Sequence, residues 1–156
     1  MSFSGAQPGC RQQGIAAVEF AITLPLLLLL MLATAEFGRL FSQYDTLTKS
    51  VRDSARYVAS KAAVGSTSVV NIDSATALAA QNLAVYGNVN GTGSTLLPGL
   101  KAGNITAADA GNGYISVTAS YTYSPMLGSS IPTFGLTTKP LSLSFTLNTV
   151  VTLRAL

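Results

Sequence analysis

Residues 15–35 read IAAVEFAITLPLLLLLMLATA, an apolar run interrupted by one charge, Glu19, and one helix breaker, Pro25. About 20 mostly apolar residues are enough to cross a bilayer as an α-helix, so this segment predicts a single membrane-inserting helix. Pro25 lacks a backbone donor, but inside lipid neighbouring helices or local distortion can satisfy the freed carbonyl. Glu19 is harder to accommodate. A carboxylate at the bilayer centre costs about 3 kcal/mol on insertion scales and marks a functional position, whereas at the headgroup boundary the cost is small. Hydropathy alone leaves both placements open.

On the N-terminal side, residues 1–14 are polar, carry Arg11 and show no helical or strand periodicity, so they read as a leader or tail. On the other side, Leu40, Tyr44, Leu47, Val51, Ala55, Val58 and Ala62 recur at spacings of three and four. Asp45, Lys49, Arg52, Asp53 and Arg56 fall largely between them. This is the pattern of an amphipathic helix, and it extends the apolar one through residues 36–62. Gly38 is either a weak point, costing up to about 1 kcal/mol against alanine, or a place of close packing. A continuous helix over residues 15–62 would be about 70 Å long at about 1.5 Å per residue.

Further outward, residues 64–72 read as a linker. Asp73 or Ser74 then caps a short helix through Tyr86, which Gly87 closes. Residues 87–113 hold the pairs Asn90-Gly91, Pro98-Gly99 and Asn112-Gly113 and predict an irregular surface region. Two alternating stretches follow. Ile115, Val117, Ala119, Tyr121 and Tyr123 share one face, and so do Leu141, Leu143, Phe145, Leu147, Thr149, Val151 and Leu153. They predict two antiparallel strands whose apolar face packs on the amphipathic helix. The segment between them, residues 124–140, contains Pro125, Pro132 and Gly135 and is too long for a tight hairpin. The expected fold is α+β: a long N-terminal transmembrane and amphipathic helix packed on a small domain with one short helix and a C-terminal antiparallel sheet. The expected boundaries are a leader at 1–14, a transmembrane segment at 15–35, an amphipathic extension at 36–62 and an extracytoplasmic domain at 63–156.

Composition excludes several classes of function. The nine basic residues behind the net charge of +3 are scattered without a run, so nucleic acid is not an expected partner. With 10% charged residues and a mean hydropathy of +0.42, the chain is far from disordered composition and too apolar for an ordinary cytosolic domain. There is no histidine, and the single cysteine, Cys10, precedes the apolar run, so no intrachain disulfide, metal or cofactor is expected. Cys10 is also on the wrong side of the apolar run for a lipid-modified cysteine. The carboxylates beyond Glu36, at Asp45, Asp53, Asp73 and Asp109, form no acid-base cluster, and the chain is not expected to be an enzyme. Residues 109–113, DAGNG, lack the alternating ligands of a calcium loop and read as a turn. Tyr121 and Tyr123 read as packed on the helix and not as exposed adhesive aromatics.

Residues 14–20, GIAAVEF, resemble the processing motif of type IV pilin-like proteins. In that family a prepilin peptidase cuts after the glycine and leaves glutamate at the fifth mature position, which Glu19 occupies if Ile15 becomes the N-terminus. The new α-amino group is cationic at neutral pH and can pair with a buried carboxylate on an adjacent helix. The longer string over residues 14–41, GIAAVEFAITLPLLLLLMLATAEFGRLF, is similar to the TadE-like family of minor pilins and pseudopilins of the tight-adherence (Tad) pilus. Gly14, the AVEF run, Pro25, the leucine block, Glu36, Phe37, Gly38 and Arg39 carry that likeness. VTASYTYSPM at residues 117–126 and the final strand ending near Arg154 carry it more loosely. Many small Tad pilins have tyrosine after the glutamate, where this chain has Phe20, and the major subunits are much shorter.

The resemblance implies a non-enzymatic minor subunit with Gly14 and Ile15 at the cut, Glu19 as the assembly carboxylate, and Phe20, Pro25, Glu36, Phe37, Gly38 and Arg39 as the adjoining motif. It implies a prepilin peptidase, other Tad pilins and minor pilins, the inner-membrane pilus assembly platform and membrane lipid as partners. The implied location is the bacterial inner membrane, single-pass with a periplasmic C-terminal domain, or a surface pilus.

Two alternatives stand beside it. Arg11, the leucines and Ala33-Thr34-Ala35 make a secretory signal peptide cut after Ala35, although the apolar part exceeds an h-region of about 7–15 residues and contains Glu19. An uncut single-pass anchor with an extracytoplasmic binding domain is the other. Arg39, Lys49 and Arg52 follow the span while Arg11 precedes it, so charge alone favours the opposite orientation. Asp45 and Asp53 offset that bias, and the resemblance implies a cytoplasmic leader.

Overall fold

The structure, a computed structural model, describes residues 9–63, 69–126, 128, 130–131, 141–142 and 144–156. Its elements are α1 (Gly9–Lys61), α2 (Ser74–Tyr86), a 3-10 turn (Ala102–Asn104), β1 (Ile105–Gly111), β2 (Tyr114–Thr122), β3 (Ser130–Ile131), β4 (Leu141–Ser142) and β5 (Thr146–Arg154). This is the α+β fold that the sequence predicts. The chain divides into two compact units, Met1–Gly38 and Arg39–Leu156.

In the first unit the described residues are all α1. The helix starts at Gly9, so residues 9–14 are helical despite their lack of periodicity. Adding turns to an existing helix is cheap compared with nucleating one, which accounts for the extension. Residues 1–8 of the expected leader lie outside the described residues. Pro25 sits inside the helix without ending it. Ile15, Ile22, Leu26, Leu30 and Met31 are all exposed.

In the second unit α1 supplies one wall of the core. Leu47, Val51, Ala55, Val58 and Ala62 are buried at the predicted spacing, joined by Ala59 and Ser54. Tyr44, expected on this face, is exposed, and Gln43 is buried in its place. Position 43 lies one helical turn before Leu47, and its amide oxygen accepts a hydrogen bond from the Tyr121 hydroxyl at 3.0 Å, which makes burial of the polar side chain tolerable. α2 contributes Ala80, Ala84 and Val85. Asp73 is its N-cap, accepting from the Thr76 N–H at 2.7 Å. Gly87 closes it in the left-handed conformation that glycine adopts freely, with φ 74. The Ser54 hydroxyl donates to the Ala80 carbonyl at 2.8 Å and ties α2 to α1.

The sheet has the order β1-β2-β5, antiparallel throughout, so β2 is central. Ile115, Val117, Ala119 and Tyr121 of β2 and the adjacent Tyr123 are buried, as their alternation predicts.

Two further expectations are corrected. Residues 87–113 are not merely irregular surface: Leu97, Leu100 and Ile105 are buried, and residues 105–111 form β1. The sequence of β1, ITAADAG, is rich in residues depleted from strands, and its pairing with β2 gives it strand conformation. Asn112 and Gly113 both have positive φ, 54 and 78, the requirement of a type I′ hairpin turn. Asp109 Oδ1 accepts from the Gly111 N–H at 2.7 Å beside the register shift, so DAG ends β1 and only Asn112-Gly113 make the turn.

The second correction concerns the last strand, expected as one piece from residue 141 to 153. β4 instead pairs with β3 in a separate two-stranded sheet, and β5 begins only at Thr146. Phe145 is exposed, although its carbonyl accepts from the Tyr123 N–H at 2.8 Å. Within β5 the inner row is Leu147, Thr149, Val151 and Leu153, with Thr149 the most buried. Leu143, Pro132, Gly135 and residues 64–68 of the linker lie outside the described residues. Beyond those five, Ala63 bridges Val70 and the Asn71 N–H donates to the Ala62 carbonyl at 2.9 Å.

Candidate functional site

The residues singled out in the sequence lie along α1. Gly14, Ile15, Glu19, Phe20 and Pro25 belong to the first unit, where side chains from Gly14 through Leu28 are exposed. Ile15 and Glu19 are four apart and share a helix face, one above the other. The Thr23 hydroxyl lies within reach of two carbonyls, Glu19 at 3.0 Å and Phe20 at 3.2 Å, so it bonds back to the turn that carries the carboxylate. Among the described residues this is the one helix long and apolar enough to cross a membrane by length and composition, and its most apolar window is 0% buried.

Glu36 is buried, Phe37 is exposed, and Gly38 closes the first unit. A Cβ built on Gly14 or Gly38 meets nothing within 4 Å. Among the described residues, neither glycine is required by packing inside the chain.

Arg39 opens the second unit and is half-buried there. It faces a polar node that sequence reasoning missed. The Tyr121 hydroxyl reaches the Gln43 side-chain oxygen and the Pro98 carbonyl, each at 3.0 Å. Burial pushes the Tyr121 phenol up from its ordinary value, and the Arg39 charge acts against that rise. The node joins α1, β2 and the loop before β1. A signal was present: a buried tyrosine needs a partner for its hydroxyl, and Gln43 lies one turn before Leu47 on the packed face. Among the described residues, no three His, Cys, Asp or Glu side chains gather as a metal site.

The site is thus an apolar helix whose side chains from Gly14 through Leu28 are exposed, with a carboxylate near one end. A family model for TadE-like proteins matches this part of the molecule. The chain is TadE-like over residues 14–56. No curated protein and no solved structure matches it. The TadE-like stretch begins at Gly14 and takes in Glu19, Pro25, the residues from Glu36 to Arg39 and the first part of the packed face, leaving α2 and the sheets outside. The match covers 43 of the 156 residues and is a likeness to TadE-like proteins over that stretch. The exposed apolar helix and the match together mark a membrane-anchored protein.

Proposed function

We propose that this chain is a minor pilin or pseudopilin-like subunit needed to assemble a Tad-type adhesive pilus, cut after Gly14 by a prepilin peptidase. Residues 1–14 are the leader, residues 15–35 span the bacterial inner membrane, residues 36–62 extend the helix, and residues 63–156 form the periplasmic domain. The observation that carries this reading is the placement of Glu19. It is the sole carboxylate in the apolar run of residues 15–35, on a stretch of helix whose side chains from Gly14 through Leu28 are exposed, one turn from the residue that follows Gly14. A cut at Gly14 creates an α-amino cation on Ile15, and an amine of ordinary pKa near 8 is mostly protonated at neutral pH. Paired with Glu19 of a neighbouring subunit, each charge makes the other tolerable among apolar helices and sets the register between them. The assembly platform, other Tad pilins and minor pilins, and lipid are the surroundings in which residues 15–35 become covered.

N-terminal sequencing of the mature protein tests the cut. Ile15 is the expected first residue; Glu36 would establish a secretory signal peptide, and Met1 an uncut anchor. For the assembly role, Glu19→Ala should be processed normally yet fail to enter pili. Wild-type incorporation of that variant sinks the role while leaving the cut intact.

A further inference from the structure

The two edges of the three-stranded sheet are built differently. The β1 edge carries Asp109 and a register shift between Asp109 and Gly111, and the Ile105 carbonyl accepts from the Gln81 side chain at 3.1 Å. Charge, bulge and side-chain cover are means by which proteins blunt an edge against further pairing. β5, TLNTVVTLR, has neither bulge nor side-chain cover. It contains no proline, keeps unbroken register with β2 from Thr146 to Arg154, and places its one charge at its last residue.

The ladder shows which of its backbone groups are free. The Tyr123 N–H donates to the Phe145 carbonyl and the Ala155 N–H to the Gly113 carbonyl, both at 2.8 Å. In an antiparallel pair, hydrogen-bonded positions recur at every second residue, so the odd-numbered residues of β5 exchange bonds with β2. The N–H and C=O groups of Thr146, Asn148, Val150, Thr152 and Arg154 therefore point the other way. Among the described residues no strand pairs with that edge.

We propose that this edge pairs with the same edge of a second copy, antiparallel and centred on Val150. A two-fold axis there sets Val150 opposite Val150, Asn148 opposite Thr152 and Thr146 opposite Arg154. On the inner face it sets Leu147 opposite Leu153 and Thr149 opposite Val151. Outward backbone groups meet outward backbone groups, and inner rows continue inner rows, because the register keeps even residues opposite even ones. No like charges are opposed, since each Arg154 faces a threonine. Leu147, Val151 and Leu153 are only half-buried in one chain, and the second β5 covers them. The result is an isologous pair with one continuous six-stranded sheet.

The pairing also fixes a direction. The two-fold axis stands perpendicular to the sheet and reverses everything that lies along it, including residues 47–61 of α1, which share its core. The strand pairing rests on the sheet alone and is independent of the cut at Gly14.

The test uses the full-length chain, one copy per phosphatidylcholine nanodisc, so that no two copies share a bilayer. Sedimentation should show discs pairing as concentration rises. Val150→Lys and Val150→Asp should each abolish pairing, and an equal mixture of the two should restore it, because the two residues face each other. Val150 is 61% exposed, so both variants retain the fold, checked by the near-ultraviolet tyrosine signal. Thr106→Lys, exposed on β1, should leave pairing unchanged. Discs that stay single throughout, or pairs that survive Val150→Lys, overturn the proposal.

Discussion

The two halves of α1 show how one kind of secondary structure serves two solvents. From Ile15 to Leu32 the helix carries large apolar side chains around its circumference, and all but Leu29 are exposed. From Leu47 onward it carries mostly Val, Ala and Ser on one buried face and Asp, Lys and Arg on the other. A helix that is apolar all round requires burial all round, in lipid or among other helices; an amphipathic helix needs only one wall. The first half should therefore tolerate changes that destroy the second, and the reverse should hold for membrane insertion.

The sharpest way to break this contrast is a matched pair of charges. Val51→Asp puts a carboxylate at a fully buried position and should unfold the second unit, since a penalty of about 5 kcal/mol rivals the whole stability of a small domain. Leu28→Asp should leave that unit's tyrosine signal intact and instead weaken partition into vesicles by about 3 kcal/mol. A Leu28→Asp protein with a melted domain would show that the halves are not independent. A milder contrast uses alanine: Ile115→Ala should cost about 2–5 kcal/mol in urea unfolding, and Leu30→Ala close to nothing.

Smaller effects probe the polar contacts of the second unit. Tyr121→Phe removes the hydroxyl shared by Gln43 and Pro98 and should cost about 1 kcal/mol. Because burial raises the Tyr121 pKa, its contribution is full below the unfolded value of 10.0 and is lost as pH climbs through the folded one. Tyr121→Phe should therefore flatten the alkaline decline in melting temperature. Asp73 shows the opposite sign. Its bonds to Thr76 hold the carboxyl below 3.8, so its stabilising contribution is present above that value and fades as pH falls through the folded pKa. Asp73→Asn should make melting temperature slightly less sensitive to acid, the smallest change of the set.

What the sequence made legible follows from how each element is specified. The apolar run, the packed face from Leu47 to Ala62, the Asp73 and Gly87 caps and the alternation of β2 are written in local pattern and emerge in the structure as expected. β1 is not locally written: Ala107, Ala108 and Asp109 have little intrinsic strand character, and the strand exists because Asn112-Gly113 folds it back on β2. The exchange of Tyr44 for Gln43 was invisible because the gain comes from a tyrosine far along the chain. Of the candidate site, Glu19 stands out as the one charge in the apolar run, whereas Gly14 and Ile15 are singled out only by the resemblance to pilin-like processing motifs. The exposure of the whole apolar helix, and the difference between the two sheet edges, required the three-dimensional arrangement.

The sheet order also dictates a timetable for synthesis. β2 can close on β1 at once through a two-residue turn, but its other side must wait until the chain through Arg154 has been made. Until then the inner faces of β2 and of α1 lack the cover that β5 provides, and the Ala59 carbonyl lacks the Leu156 N–H that bonds it at 3.0 Å. Closing so long a loop costs entropy before any contact repays it, so the slow step in folding should be the arrival of β5. The chain therefore spends that interval with a sticky, half-built domain, when a chaperone would matter most.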